Sequence, residues 1–213
     1  MRIVARFGVG VVLSIALCAA GCGDSDQDRV AKESARRQLD QAAQHVGNSE
    51  MAQAIELLKA IDREQLDDEG RASADRLESQ AQAALGNTTG ELAALERALD
   101  SGSLAPEDEL AARYDLAVLY LQRGDPQRSL DAFMEWSKRA KTAPTVSQSL
   151  VMSETYAAAG RCSDAAQLIA SAARKAEPED HIDVIAAVEA ARASCPTDAE
   201  IATLAKAFPA DEQ

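Results

Sequence analysis

Aromatic residues make up only 3% of this 213-residue chain: three Phe, three Tyr and one Trp. β-Branched residues are also thin beyond the N-terminus, so the alternating patterns of a sandwich or barrel have little to be built from. Histidine occurs twice, as His45 and His181, and neither has a second His or Cys at metal-ligand spacing. No metal and no cofactor is therefore expected. Basic residues are scarce as well, with 22 Lys and Arg against 35 Asp and Glu and a net charge of -13. That balance repels phosphate and disfavours non-specific binding to nucleic acid or an anionic membrane surface. The chain lacks a Gly-rich phosphate loop, a nucleophile elbow, an HExxH segment and a Cys-X-X-Cys pair, so no enzyme chemistry is expected. After residue 20 no apolar run is long enough to cross a bilayer.

What is present begins at the N-terminus. Arg2 and Arg6 precede an apolar run over 7–20, interrupted only by Gly8, Gly10 and Ser14. This has the layout of a secretory signal, too short for a comfortable membrane span. It ends Leu17-Cys18-Ala19-Ala20-Gly21-Cys22, and small residues directly before a Cys resemble the lipobox of bacterial lipoproteins. The family usually has Leu where this chain has Ala19. The resemblance implies a signal peptide over 1–21, cleavage before Cys22, and thioether-linked diacylglycerol plus an acyl chain such as palmitate on Cys22. An ordinary signal cut after Ala20 or Gly21 is the alternative. Several acyl chains, at about 0.8 kcal/mol per buried CH₂, hold a protein on a membrane without a transmembrane helix. In enterobacterial members, Asp directly after the lipidated Cys retains the protein in the inner membrane. Gly23 stands there, which implies the outer membrane, facing the periplasm.

Residues 22–29 then read as a lipidated Cys and polar tether. Asp24, Asp26 and Asp28 mimic the start of a calcium loop, but Arg29 and Ala35 occupy the places of its turn Gly and closing Glu. Without the leader the charge is about -15.

From Val30 onward, Ala- and Leu-rich segments alternate with short polar breaks. Gly47, Gly86, Gly124 and Gly160 each follow such a segment, placed as helix C-caps require and spaced 39, 38 and 36 residues apart. A period in that range, with two helices per unit, belongs to a solenoid. Thr88 with Glu91, Thr145 with Gln148 and Thr197 with Glu200 have capping-box spacing. Asp125-Pro126 and Glu177-Pro178 place Pro in a first helical turn. The pattern predicts an all-α fold of ten helices, near 29–45, 50–62, 70–85, 89–100, 106–123, 126–140, 146–159, 162–175, 179–193 and 198–207. The tail 209–213 follows.

Two units carry a family resemblance. Leu116, Ala117 and Tyr120, then Gly124, Ser129, Phe133, Trp136 and Pro144, follow the order of large, small, aromatic and turn residues in tetratricopeptide repeats. Met152, Ser153, Tyr156, Gly160, Ala165, Ile169, Ala172 and Pro178 repeat it. Trp136 departs, because Ala is usual there. The resemblance covers about 106–178 well and is degenerate over 30–105 and 179–207. It implies a tetratricopeptide-like (TPR-like) α-solenoid over 30–208, an alternative being an Ala-rich helical bundle.

Export places Cys162 and Cys195 in an oxidising compartment. Cys162 opens one predicted helix and Cys195 follows the end of the next, so antiparallel packing brings both to one edge. A structural disulfide is the expected outcome. Glu64, Asp67, Asp68 and Glu69 form an acidic loop, ordinary in a chain with 35 carboxylates. Asn87-Thr88-Thr89 has the form of a glycosylation sequon, with Thr88 better explained as a cap.

In tetratricopeptide families the first helices of successive units line a concave groove for a partner segment. Carried onto this chain, that face comprises Tyr114, Val118, Leu121, Leu150, Glu154 and Ala157, with Tyr114 either a partner anchor or a packing residue. The resemblances together imply a membrane-anchored envelope lipoprotein serving as an adaptor or scaffold in envelope assembly, secretion or pilus machinery. An envelope enzyme subunit or regulator, and a small-ligand-binding helical lipoprotein, are the alternatives.

Overall fold

The computed structural model describes residues 26–210. The signal segment, Cys22 and the end of the tail lie outside the described residues. Ten α-helices follow one another: α1 (Asp26–Gly47), α2 (Met51–Ala60), α3 (Asp68–Ala84), α4 (Thr88–Asp100), α5 (Pro106–Gln122), α6 (Pro126–Arg139), α7 (Val146–Ala158), α8 (Cys162–Ala173), α9 (His181–Ser194) and α10 (Ala199–Ala207). Short 3-10 turns at Arg63–Gln65 and Pro178–Asp180 precede α3 and α9. Every helix expected from the sequence is present, its ends displaced by three residues or fewer. No strand occurs among the described residues. No helix among them is long and apolar enough to cross a membrane. α1 already includes residues 26–29, which the sequence pattern assigned to the tether.

Successive helices pack as antiparallel hairpins, α1 with α2, α3 with α4, α5 with α6 and α7 with α8. The first helices also meet across units, α1 on α3 and α7 on α9. Each tight hairpin turn has one residue in the left-handed region. Gly86, Gly124 and Gly160 adopt φ of 71°, 73° and 75°, as their place after a helix requires. Gly47 does not take this role, because α1 runs through it and the left-handed residue is Ser49, with φ 62°. The Glu50 amide donates to the His45 carbonyl at 2.8 Å, just as the Asn87 amide donates to Gln82 at 2.9 Å in the next hairpin. The repeat is thus more regular than glycine alone indicates, with left-handed positions at 49, 86, 124 and 160. Serine is strained there, so Ser49→Gly is expected to stabilise the fold by about 0.5 to 1 kcal/mol. A urea titration with an unchanged midpoint would refute that assignment.

The helix starts also differ in detail. Thr145 and Gln148 form the expected reciprocal capping box. Asn87, rather than Thr88, caps α4 by accepting from the Gly90 amide at 3.2 Å. Asp198, rather than Thr197, caps α10 through the amides of Glu200 and Ile201. In both cases an Asx side chain one residue from the Thr satisfies the free N–H groups.

The interior is Ala-rich, as close helix approach requires. Ala117, Ser129, Ser153 and Ala165 are fully buried at the positions that carried the repeat resemblance. The Ser129 hydroxyl donates to the Ala117 carbonyl at 2.7 Å and lies 3.1 Å from the Thr155 hydroxyl, tying α5, α6 and α7 together. Trp136, large where the family has Ala, is accommodated beside Phe133 and Tyr114. At the C-terminal end Cys162 and Cys195 are disulfide-bonded, with Cα atoms 5.8 Å apart. The bond joins the start of α8 to the residue following α9, beside a core containing Ile169, Val184, Val188 and Ile201.

Candidate functional site

The six residues implied as a groove lining separate into two groups. Leu150 and Ala157 lie inside the α7–α8–α9 core, 6% and 2% exposed, and present no surface to a partner. α7 packs against both α8 and α9, so more of its circumference is interior than a single-sided helix would bury. Tyr114, Val118 and Leu121 are half-buried on α5, and Glu154 is exposed on α7. Tyr114 both packs and faces a cleft. Its ring centroid stands 5.6 Å from Phe133 and 5.5 Å from Trp136 in edge and tilted contacts, while Tyr114 and Val118 also line a cleft between α3 and α5.

That cleft, of about 430 Å³, is walled by Arg76, Ser79 and Gln80 of α3 and by Tyr114, Asp115, Val118 and Gln122 of α5, with Glu91 from α4. Arg76 is its organising cation. Its guanidinium donates to Asp115 at 2.6 Å and to the Ser79 hydroxyl at 3.3 Å. Only 10% of its side chain is exposed, and Nε is buried with no hydrogen-bond partner among the described residues. Burial and the neighbouring Asp115 charge raise the pKa of Glu91, with Arg76 opposing. Tyr114 is likewise pushed up by burial and by Asp115. A carboxyl whose pKa is raised on folding holds its proton more tightly in the folded state, so its charge opposes folding at pH 7 and ceases to do so as pH falls through the raised value. Glu91→Gln should therefore raise the stability at pH 7 by less than about 1 kcal/mol after solvent screening, read as a higher melting temperature. The gap from wild type should close in acid, and a lower melting temperature at pH 7 would contradict it.

A second cleft of about 790 Å³ lies between α1 and α3, where Lys32, Arg36, Asp40, Glu64, Asp67 and Arg76 are among the lining residues. The acidic residues 64–69 are not a free loop. Glu64 belongs to the 3-10 turn, Asp67 caps α3 by accepting from the Gly70 amide at 2.8 Å, and Asp68 pairs with Arg71. Asp67 also faces Arg36 at 3.5 Å. His45 lies in the last turn of α1 as expected and pairs with Glu50. His181 opens α9 and meets Phe208 at 6.2 Å between rings. No group of three or more potential metal ligands occurs among the described residues.

Two polar assemblies escaped the sequence pattern. Arg63 and Arg97 both reach Asp75 and Glu78, at 2.8 to 3.2 Å, pinning the 3-10 turn and α4 onto α3. The spacing of Asp75 and Glu78 on one helix face was the only local signal. Tyr120, the aromatic of the repeat signature, donates to Glu96 at 2.6 Å, and burial with that bond pushes its phenol up to about 12.

No family model and no curated protein matches the chain. Solved structures do. A Podosopora anserina putative kinesin light chain with nearly identical TPR-like repeats is 21% identical, with a TM-score of 0.58, covering 82% of this chain and 93% of that one. A mutant of MamA is 16% identical, with a TM-score of 0.56 and coverages of 83% and 93%. At these identities the likeness concerns architecture. The fold is a TPR-like α-solenoid.

Proposed function

We propose that this chain is a binding scaffold without catalytic chemistry, anchored to the bacterial cell envelope through lipidated Cys22 and presenting its first-helix face to a protein segment. The carrying observation is the open cleft between α3 and α5, lined by Tyr114 and Val118 on the first helix of the best repeats. The leader ending Ala19-Ala20-Gly21-Cys22 supports the anchor, and Gly23 favours the outer membrane, facing the periplasm. Envelope assembly, secretion or pilus machinery is the setting this combination suits. Lipoproteins resembling it in anchor and repeat serve pilus secretins and β-barrel assembly.

Two measurements test this. Labelled palmitate should enter wild type, and label persisting in Cys22→Ala would sink the anchor. A photo-crosslinking residue at Val118 or Glu154, placed without disturbing the aromatic packing of Tyr114, should capture one recurrent envelope protein at native expression. Capture of no specific protein would overturn the scaffold role.

A further inference from the structure

We infer that the cleft between α3 and α5 receives one basic side chain, a Lys or Arg of the bound protein segment. The inference rests on the groove reading above and specifies what that groove recognises.

The argument is one of charge and pairing. Two carboxylates, Glu91 and Asp115, share the cleft with one guanidinium, Arg76. Asp115 is engaged, accepting from Arg76 at 2.6 Å. Glu91 has no such partner: among the described residues no hydrogen bond and no ion pair within 4.0 Å reaches its carboxylate. Arg76 attracts it only at longer range, and a half-buried carboxylate without a hydrogen-bonded cation costs free energy that an incoming ammonium or guanidinium would recover. The desolvation that raises the Glu91 pKa has the same origin.

The surroundings suit a cation. The Tyr114 ring forms part of the wall, and aromatic faces attract Lys and Arg. Ser79, Gln80 and Gln122 add neutral hydrogen-bonding groups. The fold also leaves room here, because α3 and α5 lack the direct packing that joins α1 to α3 and α7 to α9. An overall charge of -13 draws a basic segment towards this surface at long range.

Isotope-labelled full-length chain in detergent micelles would be titrated with Nα-acetyl-lysine methylamide, Nα-acetyl-arginine methylamide and the neutral Nα-acetyl-norleucine methylamide. The first two should shift the amides of Ser79, Gln80, Glu91 and Asp115 saturably, and the third should not. Glu91→Gln keeps the shape of the side chain and should weaken both cations about tenfold, the loss of one charge-assisted hydrogen bond. Its amide spectrum elsewhere should overlay on wild type. Equal shifts from norleucine, shifts located elsewhere, or unchanged affinity in Glu91→Gln would each overturn the inference. A partner captured through Val118 while the lysine derivative fails to bind would remove this inference and leave the scaffold standing. Lysine binding with no partner captured would do the reverse.

Discussion

Phe133→Ala is expected to cost 3 to 5 kcal/mol, roughly the range for deleting a fully buried Phe ring. Phe133 is 1% exposed and makes edge contacts with Tyr114 at 5.6 Å and Trp136 at 6.4 Å between ring centroids. Its removal leaves a void among α5, α6 and α7 that those helices cannot readily close. Their approach is already fixed by Ser129, whose hydroxyl is held by the Ala117 carbonyl. Urea denaturation should show the midpoint falling sharply. Phe133→Leu, which refills most of the space, should recover much of the loss. The same change should blunt the α3–α5 cleft, because Tyr114 loses the ring that orients it. A loss below about 1.5 kcal/mol for the Ala variant would mean that the aromatic trio is not a unit.

Breaking the Cys162–Cys195 bond should have a comparable effect, by a different route. The bond spans 33 positions, and closing a loop of that length is worth roughly 4 kcal/mol in the chain-entropy treatment. Cys162→Ala with Cys195→Ala, or reduction of the native protein, should therefore lower the stability of the C-terminal helices by about that amount. The loss should be local, since a repeat array is stabilised by nearest-neighbour contacts. Amide exchange should accelerate across α8, α9 and α10 while α1 to α4 keep their protection. Uniform acceleration along the chain, or none, would contradict this.

The helices and turns were legible because their signals are local. Pro126, Asp125, Thr145 and the glycines at 86, 124 and 160 each act within a few residues of themselves, and all took the expected places. Ser49 broke the pattern because a non-glycine residue in the left-handed region leaves no mark in composition. The two displaced caps arose where Thr and an Asx residue stood side by side and the Asx oxygen was the one that reached the free N–H groups. The site was less legible. Arg76 meets Asp115 across 39 residues and Arg97 meets Asp75 across 22, separations at which no periodicity speaks. Leu150 and Ala157 were placed on the groove by the family resemblance, which puts the first helix of each unit on the concave face. α7 instead buries them against α9, a contact made by tertiary packing rather than by the order of residues within the helix.

The disulfide gives the molecule unequal ends when it carries load. Pulled from its two termini, the oxidised chain cannot pay out the segment between Cys162 and Cys195, so about 110 Å of contour length is withheld. Extension must come from α1 to α7 and from the short stretch after Cys195. Under tension the N-terminal hairpins act as the compliant spring, and the stapled C-terminal helices as the stop.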